Sequence, residues 1–246
     1  KIQRLVNNVE GPGKVYIAGQ PIVEGTLATL MPQDMKVMIP IVVLVISIVL
    51  LFTFRSIKST LLTLGVVLFS TIWAFGLMAF FNIPIYAVST MIPVMLIALG
   101  VADGIHLLIH LKDNLRNKLN ISKEEAITDM VKNMWKPVVM TSITTAVGFI
   151  SLLTSEVYAV KYFGLFTAFG VMSAMVFSLI FIPAGLQIFN LPKINKKKSK
   201  SKGKTDKILS SFADWVLTHK KKIILISLIV FIGGIIGAQN LWINSS

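Results

Sequence analysis

The sequence predicts an all-α polytopic membrane protein, and three observations carry that prediction. Of the 246 residues, 54 % are hydrophobic and only 14 % are charged. That is too little polar surface for a water-soluble domain of this length. The apolar residues fall in runs of about 20, the length a helix needs to cross the hydrocarbon core of a bilayer. The positive surplus of +13 sits between those runs, chiefly at 193–222. Such a distribution fits membrane topology, and with no aromatic platform or reading motif beside the lysines no nucleic-acid partner is expected. There is no cysteine, hence no disulfide or thiolate site. No cofactor and no metal are expected.

Taken in order, residues 14–18 read as a short strand, Gly19-Gln20-Pro21 as a turn and 22–34 as a helix leading into the membrane. Residues 1–34 are expected to be the C-terminal end of an extracytoplasmic domain, and the chain to be a piece of a longer protein. Six transmembrane helices follow, at about 36–54, 60–81, 88–111, 137–155, 162–189 and 223–239. Pro183 is expected to break or kink the fifth. Between the third and fourth spans, residues 121–134 carry Ile121, Ala126, Ile127, Met130, Val131 and Met134 at helical spacing. Ser122 and Glu125 form a capping box at its start. This stretch predicts an amphipathic cytoplasmic helix on the inner membrane surface. The lysine-rich segment 193–207 cannot bury a core and is expected to be a disordered linker drawn to anionic lipid. Residues 208–219 follow as a short amphipathic helix. The expected domains are therefore 1–34, a five-span unit at 35–190, the basic linker and short helix at 191–222, and the next span with the start of a second extracytoplasmic domain at 223–246.

Basic and neutral connections alternate along the chain. Residues 55–59, 112–136 and 191–222 carry Lys and Arg in excess, whereas 82–86 is uncharged and 156–161 holds one Glu and one Lys. The positive-inside rule places the basic connections in the cytoplasm, with residues 1–34 and the C-terminal tip outside.

Within the third span stands one carboxylate, Asp103. An acid at bilayer depth costs roughly 2.5–3.5 kcal/mol even on the insertion scale, and such groups mark ion or proton paths. Protonation removes the charge and lets helices slide or rock. Asp103, His106 and His110 follow i, i+3, i+7 spacing, which is one helix face. Asp103 and His106 are the expected proton relay, while His110 is expected to snorkel at the interface. Gly100 and Gly104 stand four apart on a neighbouring face, where small residues let another helix approach. The fourth span supplies Thr141, Thr144 and Thr145 as a supporting polar face, and Gly148 and Gly164 are further expected packing positions. The hydroxyls also suit plain interhelical bonding.

A set of motifs recurs here in a familiar order: Phe54-Arg55-Ser56, Gly100-Val-Ala-Asp103-Gly-Ile-His106, Thr141-Ser-Ile-Thr-Thr145 with Gly148-Phe149, and Phe163-Gly164 with Ile182-Pro183-Ala184. Over about residues 14–242 the chain resembles the resistance–nodulation–division (RND) superfamily. The likeness is to its MMPL-type, hydrophobe/amphiphile exporter branch, with a sterol-sensing-like membrane unit. The resemblance implies a transporter of two similar halves, of which this chain holds the first-half membrane region. It implies that Asp103 matches the acid that relays protons. Many relatives carry paired acids there; position 104 here is Gly.

These readings lead to an expected function: the membrane portion of a proton-motive-force-driven exporter of hydrophobic or amphiphilic molecules, lipids foremost, in a bacterial inner membrane. Expected partners are membrane lipids, the amphiphilic substrate, protons and the remaining half of the transporter, with a homo-oligomer left open. Two alternatives stand beside it: a non-transporting lipid sensor or scaffold, and an auxiliary component of protein translocation. An enzyme is not expected, because the sequence has no nucleophile motif, no protease carboxylate pair and no metal-spaced histidines.

Overall fold

The computed structural model describes residues 19–117, 121–188 and 204–239. The chain divides into two compact units, 1–194 and 195–246. The first holds five long helices: α1 (Gln20–Phe54), α2 (Ile57–Phe80), α3 (Ile92–Asn117), α4 (Lys123–Ile150) and α5 (Tyr158–Ile188). Short 3-10 segments, Ala87–Met91 and Ser151–Thr154, lie before α3 and after α4. The described part of the second unit is α6 (Lys204–Thr218) and α7 (Lys220–Gln239). Among the described residues there is no strand, and the protein is an all-α, multi-pass membrane protein. The expected strand at 14–18 lies outside the described residues.

All five helices of the first unit are long and apolar enough to cross a membrane. The sixth expected span falls on α7, a helix of 20 residues; among the described residues five helices meet the length and composition of a span, and the apolar stretch Lys222–Gly233 of α7 is shorter. The helix expected at 22–34 leads into the first span, and the two are one continuous helix, α1, with Pro32 and Pro40 inside it. Nor does Pro183 end α5, which continues to Ile188. Proline is tolerated inside membrane helices where local adjustments re-satisfy the freed carbonyl. In the second unit α6 starts at Lys204, inside the expected disordered linker.

A larger correction concerns α4. The surface helix at 121–134 and the span at 137–155 are one helix, with Pro137 inside it. The capping box opens it: Glu125 N–H donates to Ser122 Oγ and Ser122 N–H to Glu125 Oε2, each at 3.1 Å. The apolar stripe does not lie on a lipid surface. Ala126, Ile127 and Met130 are buried in one cluster with Leu107, Leu108 and Leu111 of α3 and Ile182 of α5. The stripe and the inner half of the span share one phase, so the helix has no reason to break.

At the centre α3 packs against α1, α2, α4 and α5, and α5 lies along α2, α3 and α4. Arg55, Lys58, Lys112, Arg116 and Lys123 stand at the same end of the bundle, where the first and third helices end and the second and fourth begin. There Lys112 of α3 donates to the Phe54 carbonyl that ends α1, with its ammonium 5.3 Å from the Phe54 ring centroid. Lys123 of α4 donates to the Gln187 carbonyl in the last turn of α5, at 2.8 Å. Each lysine thus satisfies an orphan carbonyl at the negative end of a helix dipole.

Candidate functional site

Asp103 sits near the middle of α3 and is 8 % exposed. Its Oδ2 accepts from Ser142 Oγ of α4 at 3.4 Å, a long and therefore weak bond. Among the described residues no buried side-chain polar atom lacks a partner. The carboxyl lines a cleft of about 110 Å³ between α3, α4 and α5, together with His106, Thr141, Ser142, Thr145 and Ala174. The space is enough for a few water molecules. An acid is thus held off bulk solvent, bonded once, and open to a small cleft whose mostly apolar wall carries a few polar side chains.

The neighbouring edge of α3 is closed by contact. A Cβ added at Gly100 would lie 3.1 Å from Val67 Cγ2 and 3.3 Å from Ala174 Cβ. One added at Gly104 would come closer than 3 Å to Thr63 of α2. At Gly104 an added Cβ would force a shift and at Gly100 it would be tight, so the two glycines hold α3 close against α2 and α5. Gly164 sits against the backbone oxygen of Phe149 and against Leu152. Gly148 does not pack: it is exposed and an added Cβ would meet nothing within 4 Å.

The threonines divide. Thr141 and Thr145 line the cleft, whereas Thr144 is exposed and turned away. All three hydroxyls donate to carbonyls of their own helix: Thr141 to Pro137 and Val138, Thr144 to Met140 and Thr141, Thr145 to Thr141. This back-bonding is how a hydroxyl satisfies itself in apolar surroundings. It leaves Ser142 as the side chain that reaches the acid. Sequence reasoning passed over Ser142, although a signal was present. Met130, Met134, Val138, Ser142 and Ala146 follow one another at i+4, so the stripe read at 121–134 leads directly to it once the helix is carried through Pro137. His106 is exposed and lines the cleft; His110 is half-buried and bonded to Asn114, so it is tied into the bundle end rather than simply snorkelling. Among the described residues no group of three or more His, Cys, Asp or Glu is placed to hold a metal ion.

Comparison with known proteins places the chain. Over 183 residues the chain is 30 % identical to MJ1562 of Methanocaldococcus jannaschii, a protein named only as a membrane protein. The match covers 74 % of this chain and 47 % of that protein, so the chain spans about half the length of the curated relative it matches. The MMPL family model matches residues 1–215. With five apolar helices, a glycine-packed central helix and the ordered motifs around Asp103, the chain belongs to the MMPL family.

Proposed function

We propose that this chain is the first-half membrane region of a proton-driven exporter of hydrophobic or amphiphilic molecules, lipids foremost, and that Asp103 is the group that takes up and releases the proton. The carrying observation is the acid itself: 8 % exposed, bonded only to Ser142 in the hydrogen-bond network, and beside a small cleft in the most enclosed helix. A carboxylate in such a place costs free energy that a neutral carboxylic acid does not. Proton uptake therefore changes how α3 and α4 prefer to sit, and that difference is what a transport cycle needs. His106 stands one turn along on the same cleft, as the next proton carrier. Thr141 and Thr145 provide polar wall for water between them. By the positive-inside rule the end bearing Arg55, Lys58, Lys112, Arg116 and Lys123 faces the cytoplasm of a plasma membrane. Cargo leaves toward the opposite side, and the second half of the transporter completes the site.

The test uses the intact protein in lipid vesicles with an imposed pH gradient and a fluorescent phospholipid as cargo. The wild type moves the lipid and consumes the gradient together. Asp103→Asn, nearly the same shape without the titration, keeps its helical content and loses both activities to background. Equal activity in Asp103→Asn overturns the reading. Lipid binding without movement, indifferent to the gradient in wild type and variant alike, identifies a sensor or scaffold instead.

A further inference from the structure

The polar face of α3 does not stop at His110. Asn114 follows one turn later, so Asp103, His106, His110 and Asn114 form one stripe toward the basic end. Asn114 Nδ2 lies 3.2 Å from His110 Nδ1 and 2.7 Å from Asp129 Oδ2 of α4. One amide nitrogen therefore serves two neighbours. It has two hydrogens to give, while a carboxylate can only accept. Turning the amide over would set its oxygen against the Asp129 carboxylate, so the charge decides the amide's orientation. The second hydrogen then points at His110 Nδ1, which must be bare. The ring proton is left on Nε2.

We propose that Asp129, acting through Asn114, clamps His110 in this one tautomer and thereby closes the proton route along α3 at the basic end. With Nδ1 covered and Nε2 protonated, the neutral ring has no free lone pair and cannot accept a proton. It accepts one only when Asn114 turns aside; a proton then adds at Nδ1 and one leaves from Nε2, with charge conserved. The clamp links α3 to α4, the same two helices that Asp103 and Ser142 link in the cleft. A shift between these helices that opens the cleft contact also strains the clamp, so His110 conducts in step with the cycle instead of leaking. Asp129 and Asn114 are positioning residues in this scheme. The gating role rests on the proposed role of Asp103; the tautomer does not.

This chain contributes three histidines, His106, His110 and His219, and the difference between the spectra of the intact wild type and of His110→Gln isolates the His110 nitrogens. The experiment is ¹⁵N NMR of histidine-labelled protein in lipid bilayers, with His110→Gln to assign the signals. The wild type shows His110 with bare Nδ1 and protonated Nε2. In Asp129→Asn both tautomers appear, because an amide at 129 accepts either orientation of Asn114; Asp129→Glu restores the single form. In cargo-free vesicles an imposed pH gradient decays several-fold faster in Asp129→Asn and Asn114→Leu than in wild type or Asp129→Glu. Adding Asp103→Asn to Asp129→Asn removes that leak. A protonated Nδ1 in the wild type, or an unchanged spectrum in Asp129→Asn, overturns the clamp. A changed spectrum with unchanged gradient decay overturns the gate. Should Asp103→Asn alone transport normally while the spectra behave as described, the Asp103 reading falls and the clamp stands.

Discussion

The most apolar helix of the first unit is the least enclosed. The most apolar window of α1 has a mean hydropathy of 3.0 and is 11 % buried, whereas that of α3 has 2.1 and is 56 % buried. In a water-soluble protein the order would be reversed. Lipid tails are as apolar as leucine, so greasy side chains gain nothing by turning inward. Helices meet instead where small residues admit close approach and where polar groups need partners. On α3 these are Gly100, Gly104 and Asp103, against Val67, Thr63 and Ser142. On α1 the residues Val45, Ile48, Val49 and Phe52 all stand exposed.

The sharpest way to break this contrast is to fill the α3 contact. Gly104→Ala places a Cβ closer than 3 Å to Thr63, whose hydroxyl is already committed to the Ser59 carbonyl at 3.1 Å and whose branched side chain has little freedom to turn. Overpacking of this kind costs about 1–3 kcal/mol. A helix-propensity gain of about 1 kcal/mol for Gly→Ala offsets part of it, leaving a net loss of up to about 2 kcal/mol. Unfolding in mild detergent measures it. A gain in stability would mean that α2 and α3 do not touch there.

A smaller effect is expected where α3 meets α4. Ser142→Ala deletes the hydroxyl that reaches Asp103 without changing the shape of the contact. Polar contacts between membrane helices are worth about 0.6 kcal/mol on average, and a bond of 3.4 Å belongs at or below that level. Stability should therefore drop by about 0.6 kcal/mol or less. The functional readout is more telling, since the acid's remaining neighbours become the cleft and its water. The pH dependence of gradient-driven lipid movement should shift, while the protein stays folded. An unmoved profile would show that Ser142 is packing and nothing more.

How much of this was legible in the sequence follows from the same contrast. The spans were readable because length and apolarity suffice to mark them, and Asp103 stood out because an acid in such a run is costly. The glycines at 100 and 104 were readable because close approach leaves a residue-type signature. Gly148 carries the same signature and packs against nothing, so composition alone does not separate a contact from an open notch. Ser142 was missed for a different reason. Splitting α4 before Pro137 broke the phase of its buried row, and the threonines, more numerous and more polar in appearance, took the place of the one hydroxyl that faces the acid. The link from Asn114 to Asp129 joins positions on two helices, and a single chain read along its length gives no register between them.

The smallest effect is expected on the outer face of α1. Phe52 is 83 % exposed. Removing a buried phenylalanine side chain from a core costs about 3–5 kcal/mol, through lost burial and the cavity left behind. At position 52 lipid replaces the ring and no cavity forms, so Phe52→Ala should change stability by no more than about 0.5 kcal/mol, the range of substitutions that touch nothing. The comparison is best made twice, once on this chain and once on the intact protein, by thermal unfolding in the same lipid. A negligible change in both means that lipid covers this face of α1. A loss approaching 3 kcal/mol in the intact protein alone means that a protein surface, from the second half or from another copy, lies against the most apolar helix, and that its low burial belongs to the isolated unit.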